Sequence, residues 1–234
     1  YAVLSGSLES VKLVLRIAAI SMNVQDNNGK TALMYAAESG NAEIVDAVAK
    51  QFSIFSGKYM YSDKYNTEKR RYVYFVNYQD NEGKTALMYA VLSGSLESVK
   101  LVLRIAAISM NIQDNNGKTA LMYAAVSGNP DIVNAVAEKF SMYSDQYMYS
   151  DKYNTKERRY VYVVNYQDNE GKTALMHAVL SGNVASVKGL LNTYKIDVKV
   201  KNNNGQTAMN LAQNSSHENK QAIIDALNSI GGEY

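Results

Sequence analysis

Asp26-Asn27-Asn28-Gly29-Lys30-Thr31-Ala32-Leu33-Met34-Tyr35-Ala36-Ala37-Glu38-Ser39-Gly40-Asn41 is the stretch that sets the architecture. Its first four residues are types that tolerate left-handed backbone and tight turns, which predicts a hairpin tip. Thr31 follows as a helix N-cap, its hydroxyl accepting an orphan amide of the first turn. Ala32 to Ala37 continue as a short helix whose small alanines admit a close neighbour. Ser39-Gly40 ends that helix, and Asn41 caps a second one with Ile44, Val45 and Val48 on one side. The unit is therefore turn, helix, turn, helix.

Outward from this stretch the unit repeats. Gly-Lys-Thr-Ala-Leu-Met begins at Gly29, Gly83, Gly117 and Gly171, and the related Gly-Gln-Thr-Ala-Met-Asn begins at Gly205. The spacings are 54, 34, 54 and 34 residues, the long one exceeding the short by 20. Residues 1–90 also align without gaps on residues 89–178, a larger period of 88. A fixed period of this size is the signature of stacked repeats. Pro130, directly after Asn129, stands at the first position of its second helix, where a missing amide costs nothing.

The pattern D-x-x-G-x-T-A-L-M-x-A followed by S-G-N-x-x-I-V resembles the ankyrin repeat, over residues 1–51, 77–139 and 165–230. Two features depart from the usual T-P-L-H of that family. Ala32, Ala86, Ala120, Ala174 and Ala208 replace the proline, and Met34, Met88, Met122 and Met176 replace the histidine, so the histidine's bond between repeats is expected to be missing. The resemblance divides the chain into a partial repeat (1–22), a repeat with an insertion (23–76), a repeat (77–110), a second repeat with an insertion (111–164), a repeat (165–198) and a capping repeat (199–234). Residue 1 matches the interior of a first helix, which suggests a piece of a longer array. The polar residues around Ala222, Ile223, Ala226 and Leu227 read as a terminal cap.

The insertions differ in kind. Residues 52–78 and 140–166 hold 13 of the 19 tyrosines and all four phenylalanines. Tyr59, Tyr61 and Tyr65 share one parity before Asn66-Thr67-Glu68-Lys69, and Tyr72, Tyr74 and Tyr78 share one after it. Tyr147, Tyr149 and Tyr153, then Tyr160 and Tyr162, repeat this around Asn154 to Glu157. Alternation about a polar turn predicts a long β-hairpin. Arms of about ten residues at ~3.4 Å each project roughly 30 Å. The expected fold is mainly α, an ankyrin-like helix-turn-helix solenoid with two projecting β-hairpins.

The 234 residues carry 24 basic and 22 acidic side chains, no cysteine and no tryptophan. Without cysteine there are no disulfides, thiolate metal sites or thiol nucleophiles, and either redox environment is compatible. No apolar run reaches the ~18 residues of a membrane span. Gly-Lys-Thr lacks the glycine five positions earlier that a phosphate-binding loop requires, Val24, Tyr78, Ile112 and Tyr166 standing there. His177 replaces Tyr35, Tyr89 and Tyr123 and reads as a surface variation. No catalytic set, metal-ligating set or cofactor site can be assembled, and the chain reads as non-enzymatic.

The ankyrin resemblance implies a protein partner recognised through turn tips and the concave first-helix face: Asn27, Asn28, Asn81, Glu82, Asn115, Asn116, Asn169 and Glu170. The finger tyrosines (59, 61, 65, 72, 74, 147, 149, 153, 160 and 162) join that surface, since tyrosine supplies amphipathic contact area at low entropy cost. The alternative is a structural protein that self-associates through hairpin edges. A nucleic-acid reader, suggested by Lys69-Arg70-Arg71 and Arg158-Arg159 among tyrosines, is disfavoured because neither insertion is strongly basic.

Overall fold

The computed structural model describes residues 2–16, 22–54, 61–66, 71–105, 108–141, 149–154, 159–193 and 195–230. They form two compact units, Tyr1–Asn115 and Asn116–Tyr234. The first unit contains α1 (Leu8–Leu15), α2 (Ala32–Glu38), α3 (Ala42–Ile54), α4 (Ala86–Leu92) and α5 (Leu96–Leu103). Helix α2 packs on α4, while α3 lies between α1 and α5 in a second row. The second unit contains α6 (Ala120–Ser127), α7 (Pro130–Ser141), α8 (Ala174–Leu180), α9 (Val184–Leu191), α10 (Ala208–Gln213) and α11 (Lys220–Ile230). Here α6, α8 and α10 form one row and α7, α9 and α11 the other.

The caps explain where the helices begin. Thr31, Thr85, Thr119, Thr173 and Thr207 are all extended, and each hydroxyl accepts the amide three residues on. Asn41 Oδ1 accepts the amides of Glu43 and Ile44, and Asn129 Oδ1 those of Asp131 and Ile132. Pro130 is the first residue of α7, as its missing amide predicts. Met34 Sδ accepts from the Thr31 amide at 3.4 Å, closing a capping box around the start of α2; this bond is local and does not join repeats.

The core lies between the two rows of each unit. Leu33, Met34, Ile44, Leu87 and Met88 are fully buried in the first, and Leu121, Met122, Ile132, Leu175, Met176, Leu190 and Ile223 in the second. Each such side chain contributes about 1.5–3 kcal/mol of burial. Ala36, Ala90, Ala124 and Ala178 are equally inaccessible and keep first helices close together.

The expectation of two long projecting β-hairpins is corrected: the fold is mainly α. The strands described are β1 (Tyr61–Asn66) paired with β2 (Arg71–Tyr74), and β3 (Tyr149–Asn154) paired with β4 (Arg159–Tyr162). Each pair joins six residues to four, with a register irregularity between the partners Tyr61↔Tyr74 and Tyr65↔Tyr72, and again between Tyr149↔Tyr162 and Tyr153↔Tyr160. The returning arms stop at Tyr74 and Tyr162 because Phe75–Asn77 and Val163–Asn165 turn into 3-10 helices. There Val76, Asn77, Val164 and Asn165 are buried, and Tyr78 and Tyr166 follow them inward. Burial in the repeat overrides the alternation that read Tyr78 as a strand residue, and a two-stranded pair is marginal on its own. Residues 67–70 and 155–158, where most of the tip positions fall, lie outside the described residues.

Candidate partner-binding surface

The turns at Asp26, Asp80 and Asp168 are each organised by one carboxylate. Asp80 Oδ1 accepts the amides of Glu82 and Lys84, closing the tip, while its Oδ2 accepts the Tyr89 hydroxyl at 2.5 Å. Asp26 does the same with Asn28, Lys30 and Tyr35. Asp168 does so with Glu170, Lys172 and His177, whose Nε2 lies 2.8 Å from Oδ2. The carboxylate thereby ties turn to helix. An ionised carboxylate only accepts, so the His177 tautomer carries its proton on Nε2. In the last repeat Asn202 Oδ1 takes over the turn, accepting the amides of Asn204 and Gln206.

The titrations follow from these contacts. The Tyr35 hydroxyl, then the Lys30 amide, hold the Asp26 carboxyl below its usual range. Burial, reinforced by Asp80, pushes the Tyr89 phenol far up, so it remains a donor. Burial pulls the His177 imidazole down, opposed by its bond to Asp168. His177 is thus not the surface variation its sequence context suggested; it is buried and hydrogen bonded.

The predicted tip residues join neighbouring turns. Asn81 donates its amide to Asn28 O and its Nδ2 to Asn27 O. Asn115 donates likewise to Glu82 O and Asn81 O. In the second unit Asn169 donates its amide to Asn116 O, and Asn203 binds Glu170 O and Asn169 O. Gln25, Gln79 and Gln167, which sequence reasoning missed, each bridge their own turn to the next: Nε2 binds Gly29 O and Gln79 O, Gly83 O and Gln113 O, and Gly171 O and Lys201 O respectively. Their recurrence one residue before Asp was the available signal. Lys201 occupies this position in the last turn.

Two further residues went unnoticed in the sequence. The buried Asn77 accepts the Ser109 amide at 2.8 Å. Asn165 accepts the Asp197 amide at 2.9 Å and donates to Lys195 O at 2.8 Å. Lys195 is the one non-glycine residue with positive φ (61°) among the described residues, and its Nζ lies 5.8 Å from the Tyr162 ring centroid.

Glu82 and Glu170 project from the tips and pair with Lys84 and Lys172. In the first unit Lys30 pairs with Glu38 at 2.9 Å and lies over the Tyr35 and Tyr89 rings, 5.2 and 4.3 Å from their centroids. At the repeat position of Glu38, near the end of the first helix, stand Leu4, Leu92, Val126 and Leu180, all exposed. Of the predicted tyrosines, Tyr59 and Tyr147 lie outside the described residues. Tyr61 and Tyr65 are in β1, Tyr72 and Tyr74 in β2, Tyr149 and Tyr153 in β3, and Tyr160 and Tyr162 in β4. Among the described residues no helix is long and apolar enough to cross a membrane, and no group of three His, Asp or Glu side chains is placed to hold a metal ion.

The family model described as ankyrin repeats (3 copies) matches residues 1–114, 57–147 and 152–229. The chain belongs to the ankyrin-repeat family, whose members generally act as non-catalytic scaffolds for protein-protein interaction. The ankyrin repeat protein L371 of Acanthamoeba polyphaga mimivirus is 26% identical over 233 residues, covering 91% of this chain and 30% of that protein. The chain therefore spans under a third of the length of that relative. The crystal structure of the ankyrin repeat protein EF0377 is similar with a TM-score of 0.70 at 22% identity, covering 97% of this chain and 94% of that one. One chain in the structure of the complex between the Bdellovibrio bacteriovorus predatory endopeptidase Bd0816 and immunity protein Bd3460 is similar with a TM-score of 0.63 at 26% identity, covering 97% of this chain and 95% of that one.

Proposed function

We propose that this chain is a protein-binding scaffold that engages its partner through the turn tips and the exposed side of its first helices. The observation that carries the reading is the recurrence of an exposed apolar residue at one repeat position, Leu4, Leu92, Val126 and Leu180, beside a turn already stabilised by its own hydrogen bonds. An apolar side chain left about half exposed forgoes part of its burial, and its recurrence at one register gives each unit an apolar contact patch. The tip residues Asn81, Glu82 and Asn115 in the first unit, and Asn116, Asn169 and Glu170 in the second, are proposed as further contacts, held in place by their hydrogen bonds between turns. Rigidity lowers the entropy cost of association. The insertion tyrosines are proposed as additional contacts, now without the support of long arms. Self-association through hairpin edges is not carried forward, since four-residue pairings make poor templates for edge extension.

The test is a pull-down with the wild-type chain, with Leu92→Ser/Leu180→Ser, and with both insertions shortened to a two-residue turn. Loss of partners from the leucine variant at unchanged circular dichroism supports the reading. Partners retained by that variant and lost on shortening move recognition to the insertions.

A further inference from the structure

In the three ion pairs bordering this surface the two charges are not equally presented. The lysine is sheltered and the carboxylate faces water: side-chain exposures are 17% for Lys30 against 45% for Glu38, 20% for Lys84 against 69% for Glu82, and 23% for Lys172 against 69% for Glu170. In the first unit Lys30 and Lys84 are both drawn down over the Tyr89 ring, at 4.3 and 5.9 Å. A pair that is neutral in sum therefore shows an anion to an approaching partner. A carboxylate has about four lone-pair sites, so one lysine leaves it able to accept from a second cation. In the first unit Glu82, Lys84, Tyr89 and Leu92 line one cleft with Lys30 and Glu38. In the second unit the stretch Asn169 to Gly182 repeats Asn81 to Gly94 with one change, His177 for Tyr89, and Leu180 is exposed as Leu92 is.

We infer that each unit carries one copy of a docking surface for a protein segment presenting a cationic side chain next to an apolar one: the cation meets Glu82 or Glu170 and the apolar group covers Leu92 or Leu180. Charge complementarity selects this occupant. An acidic segment would meet the exposed carboxylates before it reached a lysine, and like charges brought together oppose binding. A purely basic segment would leave the leucine uncovered. The inference rests on the proposed scaffold role and adds the chemistry of the partner and a count of two sites that share the carboxylate and the leucine.

The test uses the full chain and four labelled peptides built on Arg-Leu-Ser-Gly, Glu-Leu-Ser-Gly, Arg-Ser-Ser-Gly and Ser-Leu-Ser-Gly repeats, followed by fluorescence anisotropy in physiological salt and by calorimetry for stoichiometry. The Arg-Leu peptide is expected to bind at least about tenfold more tightly than the other three, a difference of ~1.4 kcal/mol. Two sites per chain are expected, falling to one in Glu82→Gln/Leu92→Ser and to none when Glu170→Gln/Leu180→Ser is added. Equal binding of the Glu-Leu or Ser-Leu peptide, an unchanged stoichiometry in the variants, or binding of none of the four overturns the inference. The scaffold reading is judged separately by the pull-down, which uses no peptide, so the failures are distinguishable.

Discussion

Tyr89 donates its hydroxyl to Asp80 Oδ2 at 2.5 Å, and both residues are buried. The first helix is thereby held to the turn that precedes it, nine residues back along the chain. Tyr35 makes the same bond to Asp26 at 2.5 Å in a more open setting. Replacing Tyr89 by Phe leaves a buried carboxylate oxygen short of a donor, at an expected cost of about 1–3 kcal/mol. Tyr35→Phe is expected to cost less, because water can replace the lost donor. Denaturant titration of the two variants side by side checks the order; equal losses contradict it.

Acid is expected to weaken the second unit through His177. Its folded pKa lies below the ordinary 6.5 because burial disfavours the imidazolium. Between those two values the unfolded chain binds more protons than the folded one, so stability falls as pH drops through this window and is fully present above it. His177→Tyr restores the residue found at Tyr89 and removes that term. The gap between variant and wild-type Tm is expected to widen from about pH 7 to pH 5; a constant gap speaks against it.

Gly171 and Gly205 separate two reasons for glycine. Both have positive φ, 76° and 74°, but a Cβ on Gly171 would lie 2.5 Å from Asn203 Oδ1 and 2.6 Å from the Asn203 amide, whereas nothing lies within 4 Å of one on Gly205. Gly205→Ala therefore carries backbone strain alone, about 1–2 kcal/mol. Gly171→Ala adds a clash that pushes adjacent turns apart, and its loss of stability is expected to exceed that of Gly205→Ala clearly in the same denaturation experiment.

Ser98 and Ser186 point hydroxyls into the core that find no partner among the described residues. Removing an unsatisfied buried polar atom is favourable, so Ser98→Ala and Ser186→Ala are each expected to raise stability, by about 0.5–1.5 kcal/mol. A drop in either variant would indicate that the hydroxyl is bonded.

Asn165 fastens the end of the second insertion to residues 195–197 with both atoms of its amide. Asn165→Leu removes both bonds and is expected to cost about 1–3 kcal/mol. Faster hydrogen exchange at the Asp197 amide, with the α8 amides unchanged, would locate the effect.

How much of this was legible in the sequence depends on the range of the interaction. The turn at Asp26 to Gly29, the threonine caps, the Ser39-Gly40 break and the start of α7 at Pro130 were all readable, because each is fixed by residues within a few positions of one another. The period then identified the repeat and its family without any knowledge of packing. Tertiary structure alone decided what faces what. It buried His177 and Tyr78, assigned Asn81, Asn115 and Gln79 to join adjacent turns, ended the returning arms at Tyr74 and Tyr162, and sheltered Lys84 while exposing Glu82. These outcomes depend on the repeat alongside, 34 or 54 residues distant, for which a local pattern of apolar spacing carries no signal.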